Sequence, residues 1–579
     1  MEQYYTDERN VQILISLLKE HGIKRVVASP GSTNVTFVGS LQQDPYFEMY
    51  SCVDERSAAY MAVGMAAETG EPVVLSCTGA TASRNYYPAL TEAYYRQLPI
   101  LAVTSTQEES KIGQMVPQVL DRRQQPFDTV RMSVHMQTVK DEDDEWNCII
   151  KANTAILELN HHGMGPVHVN LTTRYSRNFK VKELNPVRKI TRHNVTDELP
   201  ELPKCKVAIY VGTHLRWSER LTKAVDAFCE VHNAVVFSDP ASNYNGKYRV
   251  NNYIRSSQPV VNENASVDLL IHIGTMSDMT GIVRPKNVWR VSEDGLIADR
   301  YKVLKRVFEM PEVFFFEHYS RNMQAQPTTY YDSCRRDYDE ILSIVPSLPL
   351  SHIWCASQLY DKLPKNSTLH LGILSPLRSW SYFSIDPSIE VWCNQGGFGI
   401  DGNMSSLVGA SLMHPERLFF GAVGDLSFFY DMNILGNRHI GNNVRILLIN
   451  NGLGAEFHLF KQLNLTYVNG IEKYLSAGGH FGRKSPDVVK HLATDLGFEY
   501  ITASTKEEFN AVYERFITPE TTDKPMLFEV FTEVQDEDKA LYDLWHIMKD
   551  TSVKGMIKKG VKEVLGEEMT KKVKGIIKK

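Results

Sequence analysis

The sequence lacks the marks of several protein classes. Its eight cysteines among 579 residues are scattered, and none forms a Cys-x-x-Cys pair. This argues against a zinc site held by paired cysteines and against a disulfide framework, and it suits a reducing compartment. No uninterrupted apolar run approaches the roughly 20 residues that a membrane-spanning helix needs. The polar start at residues 1–5 predicts no secretory leader, so we expect a cytoplasmic protein.

A large excess of charge of one sign is also absent. The net charge is −6, with acidic and basic residues mixed throughout, which gives no general case for a nucleic-acid partner. The middle of the chain contains no Gly-x-Gly-x-x-Gly motif. Two apolar runs in the middle of the chain end in Gly212 and Gly274, where a nucleotide could bind. A lone glycine after a strand favours a spacer domain, and both interpretations stay open.

What the sequence does have is a regular alternation of elements. Short apolar runs typical of buried strands, such as residues 73–77, 99–104 and 444–451, are separated by stretches with helical spacing. This order predicts the α/β class, with doubly wound parallel sheets that carry helices on both faces. The charged, proline-punctuated stretch 182–203 is typical of a linker.

Two neighbouring strand ends carry polar residues. Asp425 follows one apolar strand in Gly424-Asp425-Leu426-Ser427, and a second strand ends in Asn450-Asn451. Carboxylate and amide oxygens gathered at one sheet edge are ligands that Mg2+ prefers. The alternative is local, because Gly-Asp is common in turns and Asn-Asn-Gly is typical of a hairpin.

A second set of strand ends lies near the amino terminus. Glu55 stands between a short strand and the alanine-rich helix 58–66, and Thr78 follows the strand 73–77. Ligands collect where parallel strands end and helices begin. The alternative for Glu55 is an exposed glutamate favoured by the dipole at a helix amino terminus.

These motifs, taken in order, carry a family resemblance. PGS at 30–32, DERSAA at 54–59, CTGATA at 77–82, EAYY at 92–95 and LPI at 98–100 resemble the pyrimidine-binding domain of thiamine diphosphate-dependent enzymes. NQGGFGIDG at 394–402 extends the likeness to their diphosphate-binding domain, whose motif reads GDG and later NN; Leu426 stands at its third position. Within the family, the sequence is similar to the 2-succinyl-5-enolpyruvyl-6-hydroxy-3-cyclohexene-1-carboxylate synthases of the menaquinone pathway.

The resemblance implies domains, cofactors and site residues. It implies a pyrimidine-binding domain at 1–182, a central domain at 190–342, and a diphosphate-binding domain at 350–545. The cofactors implied are thiamine diphosphate and Mg2+, with Mn2+ as a substitute. Glu55 and Gln118 are the implied catalytic residues, Glu55 by stabilising the imino tautomer of the aminopyrimidine ring. Besides Glu55, the implied cofactor-binding residues are Ser32, Thr78, Gly399, Ile400, Gly424, Asp425, Leu426, Ser427 and Asn451; the implied metal ligands are Asp425, Asn451 and the Leu453 carbonyl.

The resemblance also implies a reaction. We expect decarboxylation of a 2-oxo acid, with transfer of the acyl carbanion to an acceptor (a carboligase) or to a proton (a decarboxylase). Two alternatives stay open: the menaquinone-pathway synthase itself, and a non-catalytic cofactor-binding subunit.

Substrate charge separates these alternatives. The synthases use arginines for two acidic substrates, isochorismate and 2-oxoglutarate. Of those positions this sequence keeps Arg378, whereas it has Thr33, Gln107 and Gln395 at three others. We therefore expect that pair to be disfavoured, unless Arg122 or Arg123 supplies the charge in place of pairing at the surface.

Assembly follows from the same resemblance. It implies a homodimer or a dimer of dimers, in which Glu55 of one chain faces Asp425 of its partner across a shared site. The tail 550–579 reads as a basic amphipathic helix. Such a helix can lie on an anionic membrane or dock on a partner, and more often it packs against its own protein.

Overall fold

A computed structural model describes residues 4–459, 465, 467–480 and 484–548. Two compact units divide the chain: Met1–Leu199 with Glu293–Glu309, and Pro200–Ser292 with Met310–Lys579. Within the described part of the chain, every helix is too short or too polar to cross a membrane.

The amino-terminal third alternates strands and helices, as predicted. Its strands are β1 (Arg25–Ala28), β2 (Glu48–Ser51), β3 (Val73–Thr78), β4 (Ile100–Thr106), β5 (Met132–Met136) and β6 (Val167–Thr172). Its helices are α1 (Arg9–Glu20), α2 (Val35–Leu41), α3 (Glu55–Thr69), α4 (Thr81–Arg84), α5 (Tyr87–Tyr95) and α6 (Glu142–Glu158).

The middle of the chain continues the alternation. Its strands are β7 (Thr191–Asn194), β8 (Val207–Val211), β9 (Val235–Ser238), β10 (Arg249–Val250), β11 (Ser266–Ile273), β12 (Arg284–Val291) and β13 (Leu304–Glu309). Its helices are α7 (Glu219–His232), α8 (Tyr253–Ser256), α9 (Glu312–Ser320) and α10 (Thr329–Ser343).

The carboxy-terminal third repeats the pattern. Its strands are β14 (Thr368–Leu371), β15 (Glu390–Cys393), β16 (Phe419–Gly424), β17 (Val444–Asn450), β18 (Glu499–Ala503) and β19 (Met526–Phe531). Its helices are α11 (His352–Leu359), α12 (Ser375–Ser381), α13 (Asn403–Ser411), α14 (Asp425–Asp431), α15 (Ile471–Tyr474), α16 (Val488–Asp495), α17 (Lys506–Phe516) and α18 (Val534–Trp545).

The first and last sheets share one topology. The strand order is β2-β1-β3-β4-β6-β5 in the first and β15-β14-β16-β17-β19-β18 in the last, with parallel neighbours throughout. In the middle of the chain, β10, β9, β8, β11 and β12 lie parallel in that order, and β13 pairs parallel with β7. The predicted α/β class with parallel sheets is confirmed.

The first sheet shows why its strands read as continuous apolar runs. Val26 of β1 joins the core on the α1 and α6 face, whereas its neighbour Val27 joins the core on the α3 and α5 face. A strand covered on both faces needs apolar side chains at successive positions. Helix α3 is bounded as its sequence suggests, because the Asp54 side chain accepts the Ser57 N–H and Gly70 adopts φ 68° at its end.

Two sequence predictions concern the division of the chain. The predicted borders of the three domains stay a prediction. The predicted amphipathic helix at 550–579 lies outside the described residues.

Candidate active site

The first unit gathers predicted residues at the carboxyl edge of its sheet. Gly31 follows β1 and Thr78 ends β3, and these two strands are adjacent. A Cβ placed on Gly31 would lie 1.8 Å from the Thr78 Cγ2 atom, so the two backbones approach closely only because residue 31 is glycine. The chain runs from β1 out to β2 and returns to β3 on the other side, and such a switch point is where open parallel sheets bind ligands.

Glu55 lies at the amino terminus of α3. Its side chain is half-buried, and its Oε2 atom accepts a hydrogen bond from the Asn85 Nδ2 atom at 3.3 Å. The carboxylate is therefore held on one side and open on the other. This arrangement suits a group that accepts a further hydrogen bond from a bound ring.

Thr33 and Arg122 meet at one carbonyl oxygen. The Thr33 Oγ1 and the Arg122 Nη2 atoms each donate to the Ser105 oxygen at 3.3 Å, and Arg122 also donates to the Asn170 Oδ1 atom at 2.8 Å. Arg122 is 1% exposed, and its Nε and Nη1 atoms have no hydrogen-bond partner. Both acceptors are neutral, so its charge is uncompensated within the part of the chain that the structure describes.

Burial lowers the pKa of the Arg122 guanidinium to about 10. The side chain therefore keeps its charge at neutral pH, and a buried charge without a counter-ion favours an anion beside it. A Cβ placed on Gly79, the residue after Thr78, would lie 3.1 Å from the Arg122 Nη2 atom. The buried cation thus lies next to a predicted cofactor-binding residue.

The neighbouring arginine behaves differently. Arg123 is exposed and pairs with the carboxylates of Asp121 and Glu109, both at 2.7 Å. Arg123 therefore forms surface ion pairs, whereas Arg122 is buried among neutral hydrogen-bond partners. The remaining predicted residues of this unit stay near solvent: Ser32 and Gln118 are exposed, and the half-buried Gln107 accepts a hydrogen bond from the Lys111 Nζ atom.

The second unit joins the two halves of the split motif. Asp425 follows β16, and Asn451 follows the adjacent parallel strand β17. The Asp425 Oδ2 atom accepts the Gly452 N–H at 2.6 Å, and its Oδ1 atom accepts the Leu426 N–H at 2.8 Å. The Asn451 Oδ1 atom lies 3.4 Å from the Leu453 nitrogen. All three predicted metal ligands therefore lie around one turn.

The paired asparagines have separate surroundings. Asn450, the last residue of β17, donates through its Nδ2 atom to the Glu529 carboxylate at 2.7 Å. Burial raises the pKa of Glu529. Asn450 therefore holds the strand end in place, which leaves Asn451 as the residue of the pair that lies in the loop.

The loop that contains Gly399 and Ile400 contacts the same helix start. The Ser427 Oγ atom donates to the Ile400 oxygen at 2.7 Å, and the Asn403 Nδ2 atom donates to the Ser427 Oγ atom at 2.8 Å. Leu426 packs toward the loop after Asn451, because a Cβ placed on Gly454 would lie 3.2 Å from the Leu426 Cδ1 atom. The predicted cofactor-binding residues of this unit thus lie together.

Arg378 is engaged by two acidic residues. Its Nε atom donates to Asp278 at 2.9 Å and its Nη1 atom donates to Glu456 at 2.6 Å. Burial opposes the charge of this guanidinium, but Glu456 and Asp278 outweigh burial and raise its pKa. Arg378 and Asp278 line a cavity of about 370 Å³. The positive charge that Arg378 brings to this cavity is already paired with Asp278 and Glu456.

Gln395 is buried in a structural contact. Its Nε2 atom donates to the Asp239 carboxylate at 2.9 Å, and its Oε1 atom accepts the Asp278 N–H at 2.8 Å. Both hydrogen-bonding ends of the amide are thereby occupied. Gln395 fixes the Asp278 backbone, and through it the pair that Asp278 forms with Arg378.

The donor set around Asp425 fits Mg2+. A buried carboxylate, an amide oxygen and a backbone carbonyl are hard oxygen ligands, and Mg2+ takes one or two carboxylates together with phosphate oxygens. The residues therefore fit a Mg2+ ion bound to a diphosphate. In the first unit, Glu55 fits a group that accepts a hydrogen bond from the ring of a bound cofactor.

The structure adds residues that sequence reasoning missed. Asn85 orients Glu55, and Asn403 supports Ser427. The single backbone N–H of His352 is shared by both Glu537 oxygens, at 3.1 and 3.0 Å. Asn85 and Glu537 belong to no motif, since each acts through a neighbour far along the chain. Asn403 directly follows the Gly402 that ends the NQGGFGIDG motif, which is a signal that could have indicated it.

Comparison with known proteins gives the same picture. Residues 9–127 match the family described as "Thiamine pyrophosphate enzyme, N-terminal TPP binding domain". The parallel α/β fold and this match define a thiamine diphosphate-dependent enzyme.

Relatives cover nearly the whole chain. The chain is 32% identical to the 2-succinyl-5-enolpyruvyl-6-hydroxy-3-cyclohexene-1-carboxylate synthase of Phocaeicola vulgatus, over 94% of this chain and 99% of that protein. It is also 32% identical to the Bacteroides thetaiotaomicron synthase, over 94% of this chain and all of the relative. The chain belongs to this family of synthases. A solved structure, the thiamine diphosphate-dependent 4-hydroxybenzoylformate decarboxylase of Rhodococcus jostii RHA1, is 18% identical with a TM-score of 0.38, over 90% of this chain and 99% of that one.

Proposed function

We propose that the protein is a thiamine diphosphate- and Mg2+-dependent synthase that forms 2-succinyl-5-enolpyruvyl-6-hydroxy-3-cyclohexene-1-carboxylate. It would decarboxylate 2-oxoglutarate and transfer the remaining acyl unit to isochorismate. The observation that carries the proposal is the 32% sequence identity with synthases of that name, which extends over 94% of the chain. It supports the menaquinone-pathway reading of the sequence over a decarboxylase of another 2-oxo acid.

The cofactor site is assigned to residues of both units. When bound, thiamine diphosphate supplies a nucleophilic carbon and an electron sink for decarboxylation. Asp425, Asn451 and the Leu453 carbonyl would hold the Mg2+ ion that neutralises the diphosphate. The Ser427 Oγ atom donates to the Ile400 carbonyl at 2.7 Å, which fixes the backbone from which the apolar Ile400 side chain would support the cofactor.

Glu55 would accept a hydrogen bond from the aminopyrimidine ring. The negative charge of a carboxylate there would balance the charge of the ring and so assist proton transfer at the ring. Asn85 holds the Glu55 Oε2 atom at 3.3 Å, which leaves Oε1 for the ring. Gln118 is exposed and stays a proposed catalytic residue on the substrate side.

Arg122 would supply the positive charge that Thr33, Gln107 and Gln395 lack. It lies beside Gly79 and shares the Ser105 oxygen with Thr33. Thr33 is thus a neutral residue in the sequence, but the folded chain places it next to the cation of Arg122. Guanidinium pairs well with carboxylate, so a substrate carboxylate at this edge would compensate the buried charge.

A second candidate is decarboxylation of a different 2-oxo acid. It is favoured by the state of Arg378, whose charge is already shared between Asp278 and Glu456. With Gln395 also occupied, the second unit offers no uncompensated cation among these predicted substrate residues. A substrate with fewer carboxylates would then suffice.

The assembly we propose is a homodimer, or a dimer of dimers. Glu55 of one chain would face Asp425 of its partner, so that two equivalent sites form across a two-fold axis. All eight cysteines are free thiols in the structure, which supports a reducing, cytoplasmic location.

One experiment separates the candidates. Full-length protein with thiamine diphosphate and Mg2+ is given isochorismate and 2-oxoglutarate, and carbon dioxide release and product mass are measured. Formation of the named product supports the synthase. Carbon dioxide from another 2-oxo acid, with none from 2-oxoglutarate, supports the second candidate. No release from any 2-oxo acid would indicate a non-catalytic cofactor-binding subunit.

A further inference from the structure

Two histidines and a glutamate converge in the first unit, away from the residues described above. His161 and His162 follow α6, and Glu309 is the last residue of β13. The His161 Nε2 atom lies 3.0 Å from one Glu309 oxygen, and the His162 Nε2 atom contacts the other. The ligand atoms of these three residues all lie within 4.8 Å of one another.

The two histidines lie at the opposite end of the parallel strands from Glu55. His161 and His162 come shortly before β6, at its amino end, whereas Gly31, Thr78 and Thr33 gather at the carboxyl ends of the parallel strands. A role in the cofactor chemistry therefore does not explain this cluster.

We propose that His161, His162 and Glu309 bind a Zn2+ ion through the two Nε2 atoms and the Glu309 carboxylate. In a tetrahedral zinc site with bonds of about 2.0–2.2 Å, ligand atoms stand roughly 3.3 Å apart. The 3.0 Å between the His161 Nε2 atom and Glu309 is close to that spacing, and all three ligand atoms lie within 4.8 Å of one another. The ion would lie between the two imidazole nitrogens and the carboxylate oxygens.

A second carboxylate supports the assignment. The His161 Nδ1 atom lies 2.9 Å from the Glu158 Oε2 atom. Such a carboxylate fixes the ring with its proton on Nδ1, which leaves Nε2 as the metal ligand and makes it more basic. The cluster thus contains the outer contact that zinc-binding histidines commonly have, in addition to three ligands.

The backbone brings the ligands together. His162 adopts φ 47°, a left-handed conformation that is uncommon for residues other than glycine. The two rings consequently meet edge to face, with centroids 4.0 Å apart. Gly295 adopts φ 59°, and a Cβ there would lie 2.5 Å from the Glu309 Oε2 atom, so a glycine makes room for the carboxylate.

Charge and access also suit a divalent cation. The Glu158 and Glu309 carboxylates face a single nearby guanidinium among the described residues, that of Arg192, whose nitrogens lie 3.8 and 3.9 Å from them. These distances are longer than hydrogen bonds. Glu309 is 13% exposed and His162 is 67% exposed, and the cluster borders a cavity of about 590 Å³. Water can therefore complete the coordination.

Nitrogen ligands decide which metal binds. Imidazole suits Zn2+, Co2+ and Ni2+, whereas Mg2+ and Ca2+ take oxygen ligands. The cluster joins the α6–β6 connection to the separate segment Glu293–Glu309 of the same unit. The proposed ion would therefore stabilise the unit by linking two segments that are distant in sequence.

The test uses full-length protein stripped of metal with a chelator, without thiamine diphosphate and with excess Mg2+ to occupy oxygen sites. Zn2+ is titrated by calorimetry, and Co2+ by the visible absorption of four-coordinate cobalt. We expect one site per chain in wild type. Loss of one ligand, in His162→Ala or Glu309→Gln, should weaken Zn2+ binding at least tenfold.

The matched control is His439→Ala, which removes an exposed histidine of the second unit. It should bind Zn2+ like wild type. Circular dichroism checks folding, and His162 is exposed enough for its alanine variant to fold. Absence of Zn2+ binding in wild type, or equal binding by wild type and His162→Ala, would overturn the site. Neither result depends on which substrates the enzyme uses.

Discussion

Thr33 and Arg122, 89 positions apart in the sequence, donate to the same oxygen atom, the carbonyl of Ser105. Thr33 occupies a position where the family resemblance implies an arginine. The side chain of Arg122 brings a guanidinium to that place from another part of the chain. A site that looks neutral in the sequence is therefore adjacent to a buried positive charge.

Arg122→Gln tests this relationship. Hydrogen bonds to charged groups contribute about 1.5–3 kcal/mol, so we expect the KM for the 2-oxo acid to rise roughly 10- to 100-fold, with a smaller change in kcat. Steady-state kinetics measures both. The control is Arg123→Gln, which removes a surface pair and should leave KM nearly unchanged. Equal effects of the two variants would contradict a substrate role for Arg122.

Asp425→Ala tests the metal site. The variant should lose most of its affinity for thiamine diphosphate in the presence of Mg2+, because the metal neutralises the diphosphate. Isothermal titration calorimetry measures that affinity. Asp495→Ala, which changes an exposed aspartate of the same unit, serves as the control. Unchanged affinity in the Asp425 variant would remove this residue from the metal site.

Glu55→Gln tests catalysis apart from binding. The amide keeps the size of the side chain but carries no negative charge, so cofactor affinity should stay close to that of wild type while turnover falls about 100-fold or more. Proton exchange at the thiazolium C2 atom, followed by NMR, is the direct measurement. Glu68→Gln lies on the same helix and is exposed, and it should exchange normally. Wild-type exchange in Glu55→Gln would make Glu55 merely structural.

Mixed dimers test the shared site. Inactive Glu55→Gln and inactive Asp425→Ala proteins are combined, and subunit exchange is verified by mass. Some hybrid dimers then contain one site free of both changes, so part of the activity should return. If exchange occurs and no activity returns, each site is built from a single chain.

Glu537 gives a prediction about pH. Burial raises its pKa from 4.5 to about 7, so between these values the folded protein keeps a proton that the unfolded chain has released. The free energy of unfolding should therefore fall as the pH rises from 4.5 to 7, by on the order of 3 kcal/mol at about 1.4 kcal/mol per pKa unit.

The measurement is unfolding at pH 5 and pH 8. Glu537→Gln has no such proton to lose, so its unfolding free energy should depend less on pH than that of wild type. Glu507→Gln, at an exposed position, should keep the wild-type pH dependence. An unchanged pH dependence in the Glu537 variant would show that this carboxyl does not titrate in the window.

The sequence alone predicts much of the fold and those residues of the candidate site that directly follow a strand. Apolar runs and intervening helical spacing suffice for the α/β class, because a strand covered on both faces leaves a continuous apolar signature. The cofactor motifs are local as well: Asp425 and Asn451 each follow a strand directly, and neighbouring parallel strands end at the same edge. Residues whose roles depend on their own element are therefore visible in the sequence.

Tertiary structure decides which of two adjacent, chemically similar residues belongs to the candidate site. Arg122 and Arg123 are neighbours in sequence, yet one is buried beside Ser105 and Asn170 while the other pairs with surface carboxylates. Asn450 and Asn451 differ in the same way, because the first donates to Glu529 at the strand end and the second contacts the Leu453 nitrogen in the following loop. His161 and His162 become a candidate metal site only because Glu309, far along the chain, folds against them. Burial and charge pairing depend on groups that the chain brings from a distance, and no local pattern records them.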